Sequence, residues 1–352
     1  MLNWLLVCVP VALVLDRMGA SPPLVFFAAA LSIVPIASWI VRSTEHLATY
    51  TGDAVGGLLN GTFGNAPELI IGVVALRAGL FDMVLASLVG AILANLLLAL
   101  GVAFLLGGLK FREQSFRPEA TRAYLSMMLL AVTSMAVPSA MHTLSGGAPL
   151  PTEAHLNLAV ALVLLATYAL YVLFMLKTHK HLFVAEGGQE GHGDGGPRWS
   201  VARALGTLAV ASILAAFMSE VLVGAAEGTG EVLGLSRAFV GLVFLAIVGG
   251  AAESGSAIAM GRKNRMDMAV GIAIGSCIQI ALFVAPLLVL LSYWIAPTPL
   301  QLLFPRVLVG TLLISVLVGA VVAGDGRSNW FKGVQLVAVY ALFALLAYFV
   351  PT

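Results

Sequence analysis

Apolar stretches of about 17 to 25 residues, separated by short polar clusters, recur along the whole chain. As helices rising 1.5 Å per residue they match the hydrocarbon thickness of a bilayer. Reading from one polar break to the next predicts eleven spans, near 2–16, 22–44, 56–78, 82–107, 121–140, 155–176, 201–226, 236–261, 266–293, 302–323 and 331–350. The first is short for a full crossing and is compatible with a tilted or partly inserted helix. It lacks the basic leader of a signal peptide and carries Arg17 after its apolar stretch, so cleavage is not expected. The one long break, KTHKHLFVAEGGQEGHGDGGPRWS, divides the chain. The expected layout is an extra N-terminal helix over 1–20, five helices over 21–176, a cytoplasmic Gly/His/acidic loop over 177–200 and five more helices over 201–352. The fold class is therefore an all-α integral membrane protein of about eleven transmembrane helices.

Composition agrees. Of the 352 residues 60% are hydrophobic and 10% charged, against roughly 25% charged in soluble domains. The net charge of +1 supplies no basic field for nucleic acid. Cys8 and Cys277 lie inside apolar stretches and read as packing residues. When the loops are assigned alternately to two sides, one side holds Arg17, Arg77, Arg237 and Arg306, and the other holds the remaining 14 of the 18 Lys and Arg residues. Cytoplasmic loops carry that excess, which places the N-terminus and the long loop inside, in a multi-pass protein of the cell (inner) membrane.

The halves repeat each other. Adding 185 pairs Gly64 with Gly249, Ala66 with Ala251, Glu68 with Glu253, Arg77 with Arg262, Asp82 with Asp267 and Gly90 with Gly275. The third and eighth spans, which hold the two glutamates, run in opposite directions, the pattern of an inverted repeat. Upstream, after a three-residue gap, Glu45 matches Glu227.

Most acids sit in loops or at segment ends, but Glu68 and Glu253 fall well inside apolar spans. A charged side chain at a helix centre costs about 2.5 to 3.5 kcal/mol on insertion scales. One such acid is often only a protonated link between helices; two at repeat-equivalent positions argue for a central ion site. Their surroundings, GLLNGTFGNAPELIIG and GLVFLAIVGGAAESGSAIAMG, are rich in small residues. Glycines such as Gly64, Gly249 and Gly250, with Pro67, weaken the helix and free carbonyl oxygens beside the carboxylates, although small residues also serve tight helix packing. Asn65, three residues before Glu68, adds an amide on the same face. Carboxylate, amide and carbonyl oxygens suit hard cations, above all Ca2+.

GNAPELI after LLNGTF, AAES followed by RKNRMDMAVGIAIGSCIQIALFVAPLLVL, and DGRSNWFKGVQLVAVY resemble the cation/proton exchanger family of the calcium/cation antiporter superfamily, over nearly the whole chain. The resemblance implies ten core helices in two inverted repeats, usually with an extra N-terminal helix, and exchange of Ca2+ for protons at the paired glutamates. It makes Glu68, Glu253 and Asn65 the cation and proton ligands and puts Asn95 and Gln279 on the helices that flank them. The second signature departs from the family's GNAAEH: Gly250 stands where asparagine is expected, Ser254 where histidine is expected, and Ala246 replaces a common proline. Ala91 and Ala94 occupy positions where serine is frequent. Ser254 and Ser256 are the candidate replacements for the oxygens so removed.

Cation and protons are expected to compete for the same carboxylates, and alternating exposure of the loaded site turns that competition into antiport. Other cations (Na+, K+, Mn2+, Mg2+) and a cation channel are the alternatives. No GxxxxGK[ST], HExxH or GxSxG motif is present, so neither a nucleotide-driven pump nor an enzyme is indicated, and no cofactor is expected. The expected partners are inorganic cations, protons and the lipid bilayer, with a homo-oligomer left open. Glu45, Glu220 and Glu227 are candidate entrance acids, against the alternative of ordinary solvated helix ends. His179, His181 and His192, with Glu186, Glu190 and Asp194, could form a metal or pH sensor, although a plain glycine-rich linker explains that loop as well.

Overall fold

The computed structural model describes residues 3–146, 152–179 and 199–350, and of 52–61 the backbone course alone. The loop histidines His181 and His192, with Glu186, Glu190 and Asp194, lie outside the described residues. His179 is the last residue before them; its ring stacks on Phe174 at 4.2 Å.

A short 3-10 turn, Asn3–Val7, leads into α1, Cys8–Arg17, whose ten residues make about 15 Å, half a bilayer core. The partly inserted alternative for this segment is thus the one its length favours. The helix α2, Pro22–Phe63, is 42 residues long where two spans were expected on either side of a polar break near 45–55. The break is not a loop because its hydroxyls bond back to their own helix. Thr49 Oγ1 donates to the His46 carbonyl at 2.8 Å and Thr51 Oγ1 lies 3.4 Å from the Leu47 and Ala48 carbonyls, so polar residues are carried without loss of helix. The expected third span is thereby divided: its start belongs to α2, and after a break at Gly64 and Asn65 the remainder is the twelve-residue α3, Ala66–Arg77.

The next helix, α4, Phe81–Leu93, passes through a π-helical stretch, Ala94–Ala99, into α5, Leu100–Phe111. The strand β1, Glu113–Ser115, precedes α6, Pro118–Leu144, and α7, Glu153–Leu173. The second half opens with α8, Val201–Leu233. It continues with α9, Arg237–Gly249, and α10, Ala251–Arg262, bent by 61° at Gly250. Then come α11, Met266–Gln279, a π-helical stretch Ile280–Val284, α12, Ala285–Ile295, and α13, Arg306–Ala323. The strand β2, Arg327–Asn329, and α14, Trp330–Phe349, complete the described chain.

Among the described residues eight helices are long and apolar enough to cross a membrane, and the bent α9–α10 pair makes nine. The expected eleven is not reached by that measure, because α1 and α3 are too short to count. The chain is a multi-pass, all-α membrane protein, and among the described residues its strands are confined to one small ladder, in which β1 pairs antiparallel with β2, Gln114 opposite Ser328.

Packing explains several glycines. At Gly90 on α4 a Cβ would lie 1.9 Å from the Leu242 carbonyl oxygen on α9, so the two backbones touch where no side chain fits. The long helices α2 and α8 lie against each other, and α3 packs on α8. On the opposite side from the ladder, the extended residues 300–305 replace the first turn of the expected 302–323 span. They are tied down by Asn157 Oδ1, which accepts from Leu302 N at 2.7 Å, and Ser139 Oγ, which accepts from Phe304 N at 2.8 Å.

Candidate functional site

Two helix breaks create the site. Pro67 in the first turn of α3 cannot donate a backbone hydrogen bond, so α2 cannot run on through it. Gly250 marks the equivalent break between α9 and α10. Asn65 and Gly250, 185 residues apart, cap the two new helices in nearly the same conformation, φ −95° and ψ 22° against φ −80° and ψ 12°. Glu68 and Glu253 therefore both fall in the first turn of a helix, where free backbone N–H groups and the helix dipole favour a carboxylate.

The two breaks meet. A Cβ on Gly249 would sit 3.0 Å from Glu68 Cγ, so the Glu68 stem lies flat on the glycine pair that ends α9. Glu253, one turn further on, is within electrostatic reach of Glu68. All four carboxyl oxygens of the pair are buried with no hydrogen-bond partner among the described residues. Buried polar atoms are nearly always bonded, and four orphaned carboxyl oxygens are what protons or a cation would satisfy.

Amides and hydroxyls form a chain beside them. Asn65, fully buried, donates from Nδ2 to Gln279 Oε1. Ser276 Oγ donates to Asn65 Oδ1 at 3.1 Å, and Asn95 Nδ2 donates to Ser276 Oγ at 3.4 Å. Ser254 Oγ donates to Asn95 Oδ1 at 3.2 Å. A continuous polar string thus runs from α11 through the first break and the α4 π-stretch to α10. A small cavity of about 10 Å³ lies beside Glu68, lined also by Ile71, Ser87, Leu88, Ala91, Leu245, Ala246, Ile280 and Leu288. Apart from Glu68 and Ser87 that lining is apolar.

Most residues expected at the centre are brought together: Glu68, Glu253, Asn65, Asn95, Gln279, Ser254 and the glycines Gly64, Gly249 and Gly250. Ser256 is not: it is half-buried and makes no hydrogen bond among the described residues. The candidate entrance acids lie elsewhere. Glu227 forms an exposed ion pair with Arg237 at 2.7 Å, across the turn from α8 to α9. Glu220 is exposed on α8, on the outward stripe that also bears Ile213 and Phe217. Glu45 is half-buried on α2, beside His46, whose ring stacks on Trp199 at 4.7 Å. Asp267 pins a loop by accepting from Arg117 N at 2.7 Å. Ser276 was missed, although the repeat offers a signal for it: it is the 185-residue partner of Ala91 and lies one turn before Gln279.

Among the described residues no group of three or more His, Cys, Asp and Glu side chains gathers as a metal site. The formal negative charge at the centre therefore comes from the two glutamates. Two carboxylates, carboxamides and hydroxyls form a hard-oxygen donor set of the kind that holds Ca2+ and excludes softer ions.

The family model described as sodium/calcium exchanger protein matches residues 21–177 and 203–349. A Ca(2+)/H(+) antiporter of Aphanothece halophytica is 39% identical over 363 residues, covering 99% of this chain and 96% of that protein. The Ca(2+)/H(+) antiporter ChaA of Bacillus subtilis is 37% identical over 338 residues, covering 96% and 95%. The solved structure of native YfkE superposes with a TM-score of 0.85 at 34% identity, covering 99% of this chain and all of that one.

Proposed function

Because the chain belongs to the sodium/calcium exchanger protein family, we propose that it is a secondary active antiporter that exchanges Ca2+ for protons across a membrane by alternating access. The observation that carries this reading is the pair of buried, unpartnered carboxyl groups at the meeting of two helix breaks. Glu68 and Glu253 take either protons or the cation, with Asn65 as a neutral ligand and Gln279, Ser276 and Asn95 holding it in place. A cation entering from one side displaces the protons; reprotonation from the other side expels it. The transported ions are the only small molecules the scheme needs.

The halves 21–176 and 201–352 act in this reading as two inverted repeats rocking about the central site, a layout supported by the two stretches the family model covers. The excess of Lys and Arg on one set of loops orients the N-terminus and the 177–200 loop to the cytoplasm of a bacterial-type cell membrane. Glu45 serves as an acid on one approach; Glu227 does so only when its exposed pair with Arg237 opens, which costs little.

Protein reconstituted in liposomes with a trapped pH indicator should move protons when Ca2+ is added, and Glu253→Gln, which keeps the shape but cannot release a proton, should abolish that movement. Parallel additions of Mn2+, Mg2+, Na+ and K+ decide the cation. Cation flux that neither needs nor collapses a proton gradient would replace the exchanger with a channel.

A further inference from the structure

Arg112 ends α5 in a conformation that few side chains tolerate. Its φ of 64° and ψ of −62° lie in the half of backbone space where glycine is the ordinary choice. The repeat does not impose this: α12, the helix 185 residues on, ends at Ile295 and leaves through Ala296 at φ −98° and then Pro297, whose ring keeps φ negative. Strain of this kind collects where a side chain is in use. Yet the Arg112 guanidinium makes no hydrogen bond or ion pair among the described residues.

The guanidinium lines a groove. Gly108 lets the start of α14 cross the end of α5 with the backbones touching, since a Cβ there would lie 2.1 Å from Trp330 N. Beside the crossing is a groove of about 570 Å³, a volume ordinary for ligand sites, lined by Gly108, Leu109, Arg112, Asn329, Trp330 and Phe331. Leu109, Trp330 and Phe331 are exposed, the two rings edge to face at 5.6 Å. The acids close by are already taken: Glu113 lies 3.4 Å from Arg327, and Asp325 2.7 Å from Lys332. The segments 109–122, 261–267 and 325–332, joined by the ladder and by Lys110 Nζ on the Arg262 carbonyl, carry nine Lys and Arg against four Asp and Glu. An apolar wall, one cation without a partner and a surplus of positive charge thus share one place on the membrane-facing surface.

We propose that this groove binds an anionic phospholipid, its phosphate on Arg112 and an acyl chain along Leu109, Trp330 and Phe331. A guanidinium grips phosphate oxygens in pairs, and tryptophan suits the level of the headgroups. The surplus of Lys and Arg draws anionic lipid to this end and disfavours a headgroup that carries its own ammonium. A lipid seated here touches α5 of the first half and α14 of the second, so it bridges the two halves beside the ladder. The site is independent of the ion chemistry at the two glutamates.

Brominated acyl chains quench a tryptophan that they touch, which makes Trp330 the reporter. Protein in a maltoside detergent is titrated with brominated phosphatidylglycerol or brominated phosphatidylcholine, and the Trp330 signal is the difference between native protein and Trp330→Phe. Phosphatidylglycerol should half-saturate that signal at about a tenth of the concentration that phosphatidylcholine needs, the size of one hydrogen-bonding partner to a charged group. Arg112→Gln, equally strained but uncharged, should erase the preference, and Arg112→Lys should keep part of it. Arg112→Gly, which relieves the backbone, should erase it as well and carries the test if Arg112→Gln does not fold. Equal half-saturation by the two lipids, a preference that survives in Arg112→Gln or Arg112→Gly, or full displacement of phosphatidylglycerol by inorganic phosphate alone would overturn the proposal. The measurement needs no ion flux, so its failure and a failure of the exchanger reading are separate results.

Discussion

Asn65 has no free hydrogen-bonding end: Gln279 takes its Nδ2 and Ser276 holds its Oδ1 at 3.1 Å. In the proposed exchanger Asn65 would meet the ion already oriented by those two bonds, which lowers the cost of binding. Ser276 is the joint, bonded to Asn65 on one side and to Asn95 on the other, and itself 3% exposed. Ser276→Ala leaves the two amides without that partner at a cost of about 1–3 kcal/mol. The expected outcome is a folded protein whose Ca2+ KM rises about tenfold in the liposome assay, with maximal flux less affected. The glutamates were legible in the sequence because charge inside an apolar span is conspicuous, and Asn65 because it lies three residues before Glu68. Ser276 and the use of Asn95 were not, because their contacts join residues 211 and 159 positions apart in a string that only the fold assembles.

Between elements, close approach and polar ties set the geometry. The α4–α9 crossing brings Gly90 so near the Leu242 carbonyl that even Gly90→Ala must push the helices apart. Overpacking of this kind costs about 1–3 kcal/mol, and a lowered unfolding midpoint in a thermal assay of the detergent-solubilised variant checks it. At the ladder end, Lys332 Nζ lies 2.7 Å from both carboxyl oxygens of Asp325. Burial by itself would raise the Asp325 pKa, but the Lys332 bond and the Arg327 amide together hold it below the ordinary 3.8. A depressed carboxyl stabilises the fold above its unfolded pKa and loses that contribution as pH falls through the folded value. Relative to Asp325→Asn, native protein should therefore gain thermal stability at neutral pH, and the difference should vanish only in acid below about pH 4. A difference that disappears between pH 6 and 8 would contradict the assignment. Helices were the easiest elements to read, since their apolar stretches match bilayer thickness. The length of α2 was not, because a hydroxyl bonded to its own helix looks the same in sequence as a hydroxyl in a loop.

For the whole molecule, charge balance follows from how few acids reach the centre. Two glutamates meet there, and among the described residues no third acid joins them in a metal-binding group. If each gives up one proton when Ca2+ enters, the site exchanges two positive charges for two, and no net charge crosses the membrane in a cycle. A third proton carrier such as Glu220, exposed on α8, would leave one charge uncompensated. Moving one charge across 100 mV is worth about 2.3 kcal/mol, so a 60 mV change would shift the Ca2+ gradient sustained by a three-proton exchanger about tenfold. A two-proton exchanger would hold the same gradient at every potential. The site geometry predicts the second behaviour. Liposomes with the potential set by potassium and valinomycin, and the final Ca2+ ratio read at fixed pH difference, measure it directly. A tenfold shift that disappears in Glu220→Gln would assign the extra proton to α8 and move part of the coupling away from the two helix breaks.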